Sequence, residues 1–171
     1  MRTIVLALAL SASRLEAQSP VADAIRHAFA SSSRNLVAAA EAMPERAYGY
    51  RPTPAQMRFG AIVRHVAESN AWSCGIIGGR TVREEQPAAD SALDKRRLVA
   101  QLRASFASCD SVLTALTDDH LDGIVWTYPN DPMTRARAIV GLAGDWEDHY
   151  AAMAIYLRLN GVLPPTAAKG H

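Results

Sequence analysis

Asp145 and His149 stand one helical turn apart in the stretch D-W-E-D-H-Y (145–150). A spacing of four puts both side chains on one face of a helix. A second imidazole, His65, lies in F-G-A-I-V-R-H-V-A-E-S-N (59–70), on the expected inner face of another amphipathic segment. Two imidazoles and one carboxylate suit a divalent ion such as zinc, nickel, manganese or iron. Three protein ligands leave coordination positions for water or substrate. An ionised Asp alone in an apolar interior costs on the order of several kcal/mol or stays protonated. A bound cation is one compensation. An Asp145–His149 ion pair within the helix is another, and an inward His is often simply a hydrogen-bonded core residue.

Other polar groups near these three are Asn70, Trp72, Trp146 and Tyr150, each within a turn of a candidate ligand. They are candidate pocket-lining residues, with packing or rim positions as the alternative. Glu147 and Asp148 are expected to face solvent, as is an Arg64–Glu68 pair four residues apart. Ser69 has no visible base besides His65, which leaves a serine nucleophile without support. Gly-rich phosphate loops, G-x-S-x-G, H-E-x-x-H and C-x-x-C are all absent from the sequence.

Four helices are expected to position these groups. The first starts at Ser19-Pro20, with Ser as cap and Pro at the first helical position, and runs to Ala42 or Met43 before Pro44. Thr53-Pro54-Ala55-Gln56 has the spacing of a capping box for the second, whose stripe is Phe59, Ile62, His65/Val66, Ser69, Trp72/Ser73 and Ile76. That helix should stop at Gly78-Gly79. Ser91 is the expected cap of the third, with a stripe of Leu98, Leu102, Phe106, Cys109, Leu113 and Leu116. Val125-Trp126-Thr127-Tyr128 has strand-like composition but no visible partner, so it is taken as a loop across the helix ends. The fourth helix starts at Pro132 or Thr134 and ends at Leu159, before Asn160-Gly161 and Pro164-Pro165. Its inner stripe is Ala138, Leu142, Asp145, His149, Met153 and Tyr156. The fold class is therefore all-α, a four-helix bundle.

At 171 residues and 49% hydrophobic content the chain has room for one domain with a real core. A formal charge of +1 with no basic run argues against nucleic acid as a partner. Residues 1–17 have a positive start, the apolar run I-V-L-A-L-A-L and small residues up to Ala17, as a secretory signal peptide does. Their removal takes away Arg2, Arg14 and Glu16 and brings the formal charge to zero. The expected mature domain is 18–171, secreted or periplasmic and without a membrane span. An amino-terminal extension that is retained is the alternative. Export would place Cys74 and Cys109, the two cysteines of the chain, where disulfides form. Cys74 lies nine residues after His65, about half a revolution round the helix. It can therefore face the third helix while His65 faces the fourth. Two buried thiols are the alternative to a Cys74–Cys109 bond.

Three stretches carry a family resemblance: Y-R-P-T-P-A-Q (50–56), F-G-A-I-V-R-H-V-A-E-S-N (59–70) and D-H-Y-A-A-M-A-I-Y-L-R-L-N-G-V-L-P-P (148–165). In order and spacing they resemble the DinB-like (damage-inducible) superfamily. The resemblance implies a bundle in up-down-down-up order. It also implies a divalent metal held by three His, one on helix two and two on helix four. His65 matches the first and His149 the last, whereas Asp145 stands at the middle position. Related families are thiol-dependent S-transferases and isomerases, and nothing in these residues supports DNA synthesis. The expected function is a divalent-metal-dependent, hydrolase-like enzyme. The alternatives are a non-catalytic bundle that binds a small ligand or protein, and a thiol-dependent S-transferase. Export argues against the transferase, because a cytoplasmic thiol would be scarce outside. The expected partner is a small molecule, with a homodimer as the other association considered.

Overall fold

The computed structural model describes residues 19–80, 94–128 and 131–168. The proposed signal segment 1–17 and the expected cap Ser91 lie outside the described residues. Four long helices form the bundle: α1 (Pro20–Ala42), α2 (Phe59–Ile77), α3 (Lys95–Thr114) and α4 (Arg135–Leu159). A two-stranded antiparallel ribbon, β1 (Ile124–Tyr128) and β2 (Asp131–Thr134), precedes α4, and a short α5 (Pro165–Ala168) follows it. No helix among the described residues is long and apolar enough to cross a membrane.

Side-chain pairings give the helix directions. Asn70 meets Ser105 and Cys74 meets Cys109, so α2 and α3 run parallel. Ser69 meets Asp145 and Tyr156 reaches back to Met57, so α2 and α4 run antiparallel. Arg26 bonds the carbonyls of Leu113 and Leu116 while Glu41 pairs with Arg103, so α1 and α3 are antiparallel. The order is up-down-down-up, and the parallel α2–α3 pair requires the long connection between them. Cys74 and Cys109 are disulfide-bonded, with Cα atoms 5.2 Å apart.

Helix ends combine local signals with long-range ones. Pro20 sits in the first turn of α1, but the Ser19 side chain makes no cap bond. Asp118 supplies the cap instead: its carboxylate accepts from the backbone N–H of Val21 (3.2 Å) and Ala22 (2.8 Å). The Thr53–Gln56 pair closes a separate turn rather than opening α2. Helix α2 begins at Phe59, where the N–H groups of Phe59 and Gly60 donate to the carbonyls of Tyr50 and Tyr48. Asp94 caps α3 by accepting from the Arg97 N–H, so the start lies just past the Ser91 position anticipated from sequence. Helix α2 stops at Gly78, and Gly79 takes a φ of +78°, a conformation that favours glycine. Gly161 does the same after α4, at +73°.

The 125–128 segment is a strand, not a loop. Its partner is only a few residues away: Val125 pairs with Met133 and Trp126 with Pro132. The ribbon is held against the bundle by Arg135, whose Nε donates to the Ile77 carbonyl at the end of α2 and whose Nη1 donates to the His120 carbonyl. Packing of this kind stabilises a hairpin that would be marginal alone. A Cβ at Gly123 would come within 2.8 Å of the Arg135 guanidinium, so glycine lets that arm pass.

The core contains Phe29, Phe106 and Trp146, with ring centroids 5.5–5.9 Å apart. Beside them is a fully buried polar link. Asn70 Oδ1 accepts from Trp146 Nε1 at 2.7 Å, and Asn70 Nδ2 donates to Ser105 Oγ at 3.0 Å. This joins α2, α3 and α4 with both ends of the amide satisfied.

Candidate functional site

On α2, His65, Ser69, Trp72 and Ile76 follow four-three-four spacing and form a stripe on the flank of the buried one. On α4, Leu142, Asp145 and His149 form the facing stripe. The antiparallel run of the two helices sets His65 against His149 and Ser69 against Asp145. The His65 and His149 rings are 4.9 Å apart between centroids, at 75°. Asp145 Oδ1 lies 3.2 Å from His149 Nε2, and Asp145 Oδ2 accepts from Ser69 Oγ at 3.1 Å.

His65, Asp145 and His149 each offer one ligating atom, and these atoms lie within 4.8 Å of one another. A cation with bonds of about 2.0–2.2 Å needs donors no more than about 4 Å apart. The set therefore has to close by about 1 Å, well within a rotamer adjustment of an exposed imidazole. Donor chemistry fits a divalent ion, and the spacing fits one after that adjustment.

The position of the triad differs from the expected interior site. His65 is exposed, and the Asp145 and His149 side chains are 33% and 15% accessible. The buried face of α2 is carried instead by Ile62, Val63, Val66, Asn70 and Cys74, and that of α4 by Ile139, Leu142, Trp146 and Met153. Asp145 thus escapes the full cost of burial through partial solvation and two hydrogen bonds. The bond with His149 chiefly holds the Asp145 carboxyl below the usual Asp range; burial opposes it, while Ser69 and the charge of His65 add to the lowering. The same bond raises the pKa of His149 against the opposing effect of its burial, with the charges of Asp145 and Asp148 assisting.

The four residues expected to line a pocket divide. Trp72 lines one. Asn70 and Trp146 do not; they are core residues bonded to each other. Tyr150 turns towards α5, where its hydroxyl meets Thr166 Oγ1 at 2.9 Å. Glu147 is exposed as expected, yet it accepts from Ser32 Oγ at 2.7 Å and so ties α4 to α1. The Arg64–Glu68 pair is present at 3.9 Å.

Ser69 is the site residue whose role sequence reasoning missed. It touches the middle carboxylate, not an imidazole. In a nucleophile–base arrangement the His must take the serine proton. Here Asp145 stands between Ser69 and His149, so Ser69 acts as an orienting donor to the carboxylate. The signal was its place four residues after His65 on the same flank.

A cavity of about 560 Å3 adjoins the triad at Asp145 and Ser69. Its walls come from α2 (Trp72, Ile76), α4 (Leu142) and β2 (Met133). This size is in the range of small-molecule sites. The sequence could not have shown the β2 wall, since the ribbon was not foreseen.

Among solved structures the chain is similar to a DinB-like protein from Bacillus cereus. The TM-score is 0.71 at 13% identity, with 84% of this chain and 95% of the other covered. A DinB-like protein from Bacillus subtilis gives 0.65 at 18% identity, covering 81% and 92%. A variant of the mycothiol-dependent maleylpyruvate isomerase gives 0.64 at 13% identity, covering 76% of this chain and 59% of that one. At such identities the likeness is one of fold. No curated protein matches the sequence. The sequence pattern of the DinB superfamily matches residues 28–153, which include α2, α3, the ribbon and the whole triad. The chain belongs to the DinB superfamily.

Proposed function

We propose that this chain is a divalent-metal-dependent, hydrolase-like enzyme, with His65, Asp145 and His149 as the ligands. The observation that carries this reading is the convergence of three ligand-type side chains, from two antiparallel helices, at the lip of a cavity. A bound divalent ion would supply Lewis-acid activation of water or of a substrate carbonyl. Ser69 fixes the orientation of the Asp145 carboxylate. His149 Nε2 donates to Asp145 while the site is metal-free, and the proton on Nε2 would have to leave for that nitrogen to become the ligand atom. Trp72, Ile76 and Leu142 exclude water from one side of the reacting region.

A thiol-dependent transferase or isomerase is the second reading, supported by fold likeness to the mycothiol-dependent maleylpyruvate isomerase. Export to the periplasm is a companion proposal, supported by the character of residues 1–17 and by the Cys74–Cys109 bond. It makes the hydrolase-like chemistry the better supported of the two. Intact-mass measurement of periplasmic protein tests it, and full-length protein confined to the cytoplasm would end it.

Elemental analysis after incubation with zinc, nickel, manganese or iron tests the metal centre. Stoichiometric metal is expected in the wild type and none in His149→Ala, with helical circular dichroism retained in both. Wild-type protein that stays metal-free would sink the enzyme reading and leave a ligand-binding bundle.

A further inference from the structure

The cavity extends well beyond the triad. Asp145 and Arg137 both line it, and they are eight residues apart on α4, about 12 Å along the axis. The facing wall on α2 runs from Ser69 to Ile76, about 10 Å. Because Ser69 bonds Asp145, this end of the groove is the triad end and Arg137 marks the other. The middle is apolar: Ile76 and Leu142 are buried, and Met133 and Ala138 are half-buried.

Among the described residues of the lining, Arg137 is the single cation. It is exposed and forms no ion pair among the described residues. Asp131, which also lines the cavity, makes an interaction of its own within the chain. Gly141, also in the lining, faces open space: a Cβ built there meets nothing within 4 Å.

We propose that this cavity takes an amphipathic anion, its carboxylate at Arg137 and its apolar body along Ile76, Leu142 and Met133. The end to be transformed then lies beside Asp145, a placement that rests on the metal-centre reading. An extended eight-carbon chain, about 9 Å long at C–C bonds of about 1.52 Å, fits within the roughly 12 Å between the two ends.

Octanoate is the probe, with octylamine as its cationic counterpart, titrated calorimetrically into metal-free protein at constant ionic strength. Octanoate should bind at least about tenfold more tightly than octylamine. Arg137→Gln should weaken octanoate by about tenfold or more, the usual effect of losing a charged hydrogen-bonding partner. Gly141→Leu should abolish binding by filling the cavity, with an unchanged or raised thermal midpoint because a helical Gly is replaced by a good helix former. Absence of octanoate binding, equal affinity for octylamine, or full affinity in either variant would overturn the proposal. The two failures are separable. Octanoate binding without metal uptake sinks only the metal centre, and metal uptake without octanoate binding sinks only this assignment.

Discussion

Asn70→Leu removes the amide that joins three helices while keeping nearly the same volume. Asn70 is 0% exposed, and its neighbours Trp146 and Ser105 are buried as well. Loss of Oδ1 leaves the Trp146 indole N–H, now bonded at 2.7 Å, with no acceptor. Ser105 loses less, since its hydroxyl still donates to the Leu102 carbonyl at 2.8 Å. One stranded buried donor costs about 1–3 kcal/mol. A loss near 2 kcal/mol should lower the melting midpoint by roughly 4–8 °C in a chain of this size. Asn70→Asp gives a second readout. A protonated carboxyl at this position can still accept from Trp146 and donate to Ser105; the ionised form cannot donate and is buried. Its folded pKa is therefore raised above the unfolded value of about 3.9, so stability falls as pH rises from there towards the folded pKa. The slope is about 1.4 kcal/mol per pH unit. Urea melts of both variants between pH 4 and pH 8 measure these effects. If Asn70→Leu melts within about 0.5 kcal/mol of wild type, a typical surface effect, the polar link is not a stability element. If Asn70→Asp shows no extra pH dependence, the burial argument fails.

Reduction of the Cys74–Cys109 bond, which spans 35 residues, should cost about 4 kcal/mol in the chain-entropy model. Melts with and without reductant check it, and coincident curves would refute it. His149 has a raised pKa, so its ion-pair stabilisation is complete below its unfolded value of 6.5 and is lost as pH rises through the folded value. Asp145 has a lowered one, so its share is present above 3.8 and is lost as pH falls through the folded value. The metal-free pair thus stabilises most between these two values, and His149→Gln should flatten the decline above pH 6.5. An identical stability–pH profile in wild type and variant would count against the pair. Asp118→Ala should cost about 1 kcal/mol through loss of the α1 cap, with Asp118→Asn recovering part of it in chemical melts; an alanine variant as stable as wild type would show the cap to be inert.

The sequence by itself determined the four helices, the inner stripe of α3 and most of the helix ends. These depend on local chemistry: Pro20 in a first turn, glycine at positive φ at Gly79 and Gly161, and a period that sorts one side of each helix from the other. It also determined that Asp145 and His149 share a face, and that Cys74 and His65 point to different neighbours. Tertiary structure decided how far round each helix the interior extends. Periodicity gives the angle of a side chain about its own axis, but burial depends on where the next helix lies. His65, Asp145 and His149 sit at the margin of their stripes, so the α2–α4 approach places them at a groove, and it sends Asn70 and Trp146 to the core. Partners far apart in sequence were likewise invisible: Asp118 on α1, the Tyr48 and Tyr50 carbonyls beneath Phe59, Ser69 against Asp145. The ribbon is an intermediate case. Its strands are adjacent in sequence, but a hairpin of this length is marginal alone, and the Arg135 guanidinium that holds it reaches the end of a helix 58 residues away.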